Sequence, residues 1–346
     1  MVGSGSSERR ALSKPKPSMG DVAALAGVSS QTVSRVSMGA TNVRPATRDR
    51  VLAAMTELGY SPNSAARALR YGAFQTIGII AHKLSRTGES RTVEAVVEAA
   101  QREGHTVTVV DVESPAPTQV AEAATRLSNQ SIDGLIIIRA ETVTPDMLTL
   151  PRGLPVVVSD SRFVGHHPAV GADQIDGSRR AVEHLLGLGH RTVHHVAGPA
   201  DSAPTQLRID GWRRALEDAA RETPEIIRGE WTAASGYEAG RRIAPDRDVT
   251  AVFCANDEMA AGLLHALHEA GRRVPGEVSV VGFDDIALGA HLWPPLTTMR
   301  QDFAEIGTRL VDLLMRQVRG GEPLEDVHEV VPVELVVRQS TAPPAM

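Results

Sequence analysis

From Phe74 onward the sequence alternates short β-branched runs with Ala- and Glu-rich stretches of helical length, in two successive series. Segments 76–80, 106–112, 134–138 and 155–159 make up the first series, and 192–197, 251–254 and 278–282 the second. Apolar strands separated by helix-length connections cannot pair as hairpins, so this pattern predicts parallel sheets covered by helices. Two series predict two α/β lobes with a ligand cleft between them. In such sheets ligands gather beyond the carboxyl ends of the strands. Asp160, the pair Asn256-Asp257 and the pair Asp284-Asp285 stand at those ends, and Arg208 lies just inside the helix after 192–197. Planar carboxylate, amide and guanidinium groups can each span neighbouring hydroxyls, which makes a sugar a natural guest. Asp257 and Asp285 are also placed to cap the following helices, and that is the role expected of them.

The first 74 residues follow a different rule. Ser18 and Asp21 have the spacing of a capping box, and Val22, Leu25 and Ala26 follow at the spacing of one buried helix face. Gly27 marks a sharp turn. Ser29 is placed to cap a second helix through about Val36, with Val33 and Val36 inward and Ser30, Gln31, Ser34 and Arg35 outward. A third helix is expected from Pro45 to Leu58, buried at Val51, Met55 and Leu58 and ended by Gly59. Two short helices about a glycine turn, braced by a third, predict a helix-turn-helix whose second helix can enter a major groove. A small helical bundle without a DNA role is the alternative. The outward polarity favours DNA, because Gln and Arg can form bidentate pairs with adenine and guanine edges. Charge agrees: the chain totals −6, but residues 1–74 hold ten Lys/Arg against four Asp/Glu, or +6, leaving −12 for the rest. A basic head on an acidic body suits a protein that approaches phosphates at one end.

With 346 residues, 42% hydrophobic and 23% charged, the chain has the size and composition of a soluble protein of two or three domains. No apolar run reaches the roughly 20 residues that span a bilayer. Residues 1–17 are expected to be a disordered polar leader without the apolar core of a signal peptide. The one cysteine, Cys254, excludes an internal disulfide framework. Cytoplasmic location is the expectation. There is no nucleophile elbow, glycine-rich phosphate loop or zinc-protease helix, so no catalytic residue, metal or cofactor is expected. His194-His195 and His265 with His268 lack carboxylate or thiol partners, and are expected to be solvated or strand-end side chains. A free sugar-binding protein is the rival for the body alone, and the head argues against it.

The stretches Asp21-Val22-Ala23-Ala24-Leu25-Ala26-Gly27-Val28-Ser29 and Gln31-Thr32-Val33-Ser34-Arg35-Val36 resemble the DNA-binding head of the LacI/GalR repressor family. The likeness continues through Leu58-Gly59-Tyr60-Ser61-Pro62-Asn63 and Ala65-Ala66-Arg67-Ala68-Leu69, and departs at Ser37-Met38 and Arg44. It extends to about Thr341, through Leu207-Arg208 with Gly211-Trp212, Trp231-Thr232-Ala233-Ala234-Ser235-Gly236-Tyr237, and Pro294-Pro295-Leu296-Thr297-Thr298 with Gln301-Asp302-Phe303. The resemblance implies an all-α helix-turn-helix head over 18–62, a hinge helix and linker over 63–73, and a two-lobed periplasmic-binding-protein-like α/β effector domain over 74–341. The N-lobe would comprise about 74–172 and 303–331, the C-lobe about 173–300 and 332–341, and 342–346 a tail.

Ser30, Gln31, Ser34 and Arg35 would meet operator DNA together with Asn63 and Arg67, and Leu69 would wedge into the central minor groove, kinking the duplex. His82, Asp160, Arg208, Trp231, Asn256, Asp284, Gln301 and Phe303 would line the effector pocket. His82, Gly88, Glu89 and Ile138 depart from the pattern of the family's galactoside-responsive members. The implied function is a repressor released from DNA by a small sugar such as a galactoside, with corepression as the alternative. A helix over 305–319 and a final strand over 330–337 should cross back between the lobes. No leucine heptads follow, so a homodimer is expected, each head reading half of a symmetric site.

Overall fold

The structure, a computed structural model, describes residues 17–37, 40, 42–60, 73–112, 117–138, 150, 153–159, 166–321, 324 and 327–345. Residues 1–16 of the expected leader, the hinge with Asn63, Arg67 and Leu69, and Asp160 lie outside the described residues. The protein forms two compact units, Met1–Phe74 and Gln75–Met346.

In the first unit, α1 (Met19–Ala26) opens with the expected capping box: the Asp21 amide donates to Ser18 Oγ, and the Ser18 amide donates to Asp21 Oδ2 at 2.7 Å. Helix α2 (Ser30–Ser37) is capped by Ser29, whose Oγ accepts from the Thr32 amide at 3.2 Å. Helix α3 (Pro45–Leu58) starts at a proline and ends where Gly59 turns left-handed with φ 62°. Val22, Ala26, Val33, Val36, Val51 and Met55 close a small core between the three helices. Leu25 is not part of it and stays 46% exposed. The buried face of α1 is centred on Val22, Ala23 and Ala26, and at about 100° per residue Leu25 falls well round the helix from that centre.

The second unit holds two six-stranded sheets. The first half of its chain runs β1 (Thr76–His82), α4 (Thr87–Arg102), β2 (Thr106–Val112), α5 (Pro117–Asn129), β3 (Gly134–Ile138), β4 (Val156–Ser159) and β5 (Ala169–Ala172). There follow α6 (Gln174–Gly187), β6 (His194–Ala197), α7 (Ala203–Asp218), β7 (Ile227–Arg228), α8 (Ala233–Ile243), β8 (Ala251–Cys254), α9 (Asp257–Glu269), β9 (Ser279–Asp284) and β10 (Thr297–Arg300). The chain ends in α10 (Phe303–Gly320), β11 (His328–Val331) and β12 (Glu334–Val336). The first sheet has the order β11-β5-β4-β3-β1-β2, and all its pairings are parallel. The second has the order β12-β10-β9-β8-β6-β7 and is parallel except for β10 with β12. Strands β3, β4, β8 and β9 are buried throughout, as parallel strands covered on both faces must be.

The chain passes between the sheets at 172–174, 300–303 and 331–334. The single final strand expected over 330–337 is two strands: β11 pairs with β5 in one sheet, and β12 pairs with β10 in the other. Pro332 lies between them, and a residue without an amide proton cannot continue a ladder. The first and third crossings are joined by the Asp173 amide, which donates to Val331 O at 2.9 Å.

Helices α8 and α9 touch backbone to backbone. A Cβ on Gly262 would lie 1.8 Å from Ala233 O. Against β6, Trp212 is fully buried and donates from Nε1 to Val193 O at 2.8 Å. His195 is not the solvated or strand-end side chain expected from sequence. It is 0% exposed, its ring 4.7 Å from that of Phe253 and 5.5 Å from that of Trp212, centroid to centroid. Its Nδ1 donates to Phe253 O at 3.0 Å. Burial drives its pKa down to about 3, so it stays neutral in the fold.

Two outcomes are expected. An unfolded His195 takes up its proton near 6.5 and the folded one near 3, so between those values the unfolded state binds more protons and stability falls with pH. Burial lowers His184, His190 and His194 in the same direction. From pH 6.5 to 5 the loss from His195 alone should be about 2 kcal/mol, and His195→Phe should flatten it, as measured by urea unfolding at both pH values. Gly262→Ala, which forces apart the backbones of α8 and α9, should cost about 1–3 kcal/mol in the same assay at pH 7.

Candidate functional site

In the first unit, α2 turns Val33 and Val36 inward, which leaves Ser30, Gln31 and Arg35 exposed and Ser34 half-buried on the opposite face. Gln31 and Arg35 are one helical turn apart, so both can reach adjacent base edges from a helix lying in a groove. No acidic residue interrupts α2. Arg48 is occupied differently, donating to Ala40 O.

In the second unit the expected residues gather where β6, β8 and β9 end. Arg208, 1% exposed on α7, is held on every side. Its Nε donates to Gln174 Oε1 at 2.8 Å, one terminal nitrogen donates to Ala255 O, and the other lies 3.5 Å from Asp284 Oδ1. The guanidinium sits 3.8 Å from the ring centroid of Phe283 and 5.4 Å from that of Trp231. A buried guanidinium costs several kcal/mol unless its charge and donors are matched, and this arrangement matches them. Asp284 also accepts from Gln301 Nε2 at 2.6 Å. Arg208, Asp284 and Gln301 therefore form one bonded cluster.

Asp284 and Asp285 adopt positive φ, 112° and 54°, which costs of order 1–3 kcal/mol per residue unless the surroundings impose it. Asp257 does much of the imposing, and this corrects its expected role. Asn256 is the cap of α9, its Oδ1 accepting from the Met259 amide at 3.0 Å. Asp257 instead faces the turn, accepting from Thr298 Oγ1 at 2.6 Å and from the Ile286 amide at 2.9 Å. Its carboxylate occupies the space over Gly282, where a Cβ would lie 2.1 Å from Oδ1. Burial, followed by the charge of Asp284, pushes Asp257 well above the usual carboxylate range. Asp285 is no cap either. Arg300 and Arg338 each donate to it at 2.6 Å, and although burial alone would raise its pKa, these two bonds outweigh that and lower it.

Trp231, φ 65° and 6% exposed, presses its ring on Gly198, where a Cβ would come within 2.4 Å of it. Among the described residues its Nε1 has no acceptor. Asn256 Nδ2 donates to Trp231 O at 3.0 Å and to Glu258 Oε2 at 2.8 Å, so both ends of that amide are engaged. Trp231 is thus packed under its loop, and it also lines a cavity of about 320 Å³ with Lys83, Ser85, Arg86, Glu230, Thr232 and Glu258. Thr87 on the first lobe donates to Glu258 on the second across this opening. A wider depression of about 680 Å³ runs along β2 and α5 between mostly exposed side chains, and none of the expected residues lines it.

The remaining expected residues stand on the first lobe. His82, 4% exposed at the end of β1, donates from Nδ1 to Val112 O at 2.8 Å. Phe303 begins α10 under the guanidinium of Arg91, 5.4 Å from its ring centroid. Glu89 is fully buried 3.5 Å from Arg86. Sequence reasoning missed Gln174, Asp257 as a brace, and Glu258 as a bridge. The signal for Gln174 was its place after β5, a strand too short and too alanine-rich to be anticipated. Among the described residues no group of three or more His, Cys, Asp or Glu could hold a metal, and no helix is long and apolar enough to cross a membrane.

Residues 18–63 match the bacterial regulatory proteins of the lacI family, and residues 182–341 match a periplasmic binding protein-like domain. The lactose operon repressor of Escherichia coli K12 is 36% identical over 331 residues, covering 94% of this chain and 90% of its own. The HTH-type transcriptional repressor PurR of Haemophilus influenzae PittEE is 30% identical over 327 residues, 92% of this chain and 97% of its own. A crystal structure of the lac repressor dimer bound to operator and the anti-inducer ONPF superimposes with a TM-score of 0.82 at 34% identity, covering 94% of this chain and 99% of that one. A helix-turn-helix joined to a two-sheet body is thus matched along nearly the whole chain, in sequence by two repressors and in fold by the lac repressor: the protein belongs to the lacI family of bacterial regulatory proteins and is a DNA-binding transcriptional repressor.

Proposed function

We propose that the effector of this repressor is a small sugar held between the lobes of the body, and that its binding releases the head from operator DNA. The observation that carries this is the buried cluster of Arg208, Asp284 and Gln301 beside the ring of Trp231. Paired planar groups for hydroxyls and an aromatic face for the apolar side of a ring are what a sugar requires. Asp160, His82 and Phe303 serve the same ligand, and Asn256 holds Trp231 in place. A galactoside is the first sugar to try, because a lactose operon repressor is 36% identical to this chain over 331 residues.

On the DNA side, Ser30, Gln31, Ser34 and Arg35 read the major groove, and Asn63, Arg67 and Leu69 serve the hinge. The protein acts as a homodimer in the cytoplasm. Leu288 and Trp293, 58% and 92% exposed beside the Asp284–Ile286 turn, offer an apolar patch for a second copy, and the solved relative is a dimer.

A thermal-shift screen of mono- and disaccharides tests the effector, since a ligand bound only by the folded state raises its melting temperature. The sugar that does so should bind more weakly when operator is present, by the factor with which it weakens operator binding. Asp284→Asn should remove this response while unliganded operator affinity stays within about twofold, measured by fluorescence anisotropy. Tighter sugar binding on operator would instead make the sugar a corepressor. For the head, Arg35→Ala should cost about 1–3 kcal/mol on the cognate duplex and blur one base preference. Equal losses on cognate and random duplexes would make Arg35 a phosphate contact.

A further inference from the structure

Two glutamines stand at two of the three places where the chain crosses between lobes. Gln174, the first residue of α6, ends the crossing at 172–174, and Gln301 lies within the crossing at 300–303. Both are buried, 2% and 4% exposed. Gln174 Nε2 donates to Gln301 Oε1 at 3.3 Å, so the two crossings touch through their side chains. The outer ends of the pair reach into the second lobe. Gln174 Oε1 accepts from Arg208 Nε at 2.8 Å, and Gln301 Nε2 donates to Asp284 Oδ1 at 2.6 Å. Arg208 and Asp284 complete a ring by their own contact at 3.5 Å.

The chemistry of the two ends fixes the direction of this ring. A guanidinium only donates, so Gln174 must turn its carbonyl oxygen to Arg208 and its amide nitrogen to Gln301. An ionised carboxylate only accepts, so Gln301 must turn its nitrogen to Asp284 and its oxygen to Gln174. Each glutamine has one orientation that satisfies both neighbours, and the two orientations agree. Once either end is drawn away, the amide next to it loses the partner that set its orientation.

The crossings are otherwise packed tightly. The third is joined to the first through Asp173 and Val331, and Arg180 donates to Val333 O at 2.7 Å. A Cβ on Gly177, one turn into α6, would lie 2.5 Å from Val333. A change in the side-chain bonds between the first two crossings therefore meets a close-packed neighbour and shifts it.

We infer that Gln174 and Gln301 are positioning residues that form a directional hydrogen-bond relay, through which the arrangement of Arg208 and Asp284 is read by the chain crossings that set the angle between the lobes. The relay belongs to the unliganded protein, and only its use by an effector rests on the reading of the cleft given above.

The relay can be run backwards, and that is its test. Gln174→Glu keeps an acceptor for Arg208 but replaces the donor facing Gln301. Gln301 must then flip to donate to the new carboxylate, which turns its oxygen against Asp284. Asp284→Asn supplies a donor at that end, so the pair Gln174→Glu with Asp284→Asn restores a complete ring of opposite direction. Hydrogen exchange of the full-length protein, without DNA or sugar, reads segments 172–174 and 300–303. Gln174→Glu should speed exchange in both by about tenfold, and adding Asp284→Asn should return both to within about threefold of the starting protein. A third change, Gln301→Met, should abolish the rescue, whereas rescue by charge balance around Arg208 alone would survive it. The uncharged variant Gln174→Met should loosen both segments as well. Additive damage in the double variant, a rescue that persists without Gln301, or loosening confined to 172–174 in Gln174→Met would each overturn the relay. None of these readouts depends on which effector the protein binds.

Discussion

The body of this repressor is organised around a guanidinium kept out of water. Arg208 is 1% exposed, and at that depth an unmatched charge would take several kcal/mol from a domain stability of about 5–15 kcal/mol. The neighbours that satisfy it come from four stretches of chain: Gln174 at the start of α6, Ala255 after β8, Phe283 and Asp284 at the end of β9, and Trp231 after β7. Satisfying one side chain thus requires the ends of three strands and one crossing to be in register at once. The strained turn at Asp284 and Asp285 follows from the same demand, and Asp257, Arg300 and Arg338 hold it in place. The cleft is preorganised because its central charge has no satisfactory alternative arrangement.

That arrangement divides the protein chemically. The head is basic, closed by small aliphatic side chains, and presents a helix face without acids. The body is acidic and large, and its cluster of Arg208, Asp284 and Gln301 is buried. DNA affinity is thereby concentrated in one unit, and a ligand in the other can alter binding only by changing how that unit is held.

Much of this was legible in the residues. The capping box at Ser18 and Asp21, the Ser29 cap and the glycine stop at Gly59 are local signals with local causes, and all three are present. The long apolar strands were equally plain, because strands buried on both faces are rich in β-branched residues. What escaped was short or decided at a distance. The four residues of β5 contain two alanines and a glycine, and nothing local marks them as a strand. Leu25 has the chemistry of a core residue, yet the helix turns it outward. Asn256 and Asp257 are both good caps, and only the turn at Ile286, far along the chain, makes Asp257 the brace. His195 is adjacent in sequence to a second histidine, which suggested a polar strand end. Two aromatic rings from elsewhere in the chain made it a core residue instead. Sequence patterns report local preference well, and they are silent on which of two competent neighbours a remote partner will choose.

The division of the last strand at Pro332 bears on how the molecule is assembled during synthesis. Strand β11 covers the edge of β5 in one sheet, and β12 covers β10 in the other. Strands β5 and β10, which are interior in the finished sheets, therefore stand as edges until residues 328–336 have emerged from the ribosome. Chains emerge at about 5–20 residues per second, so a nascent body exposes two unpaired strand edges for seconds, the condition under which sheets seek partners in other molecules. The two lobes, separate in space, are completed by one short stretch of chain and must reach their final form together.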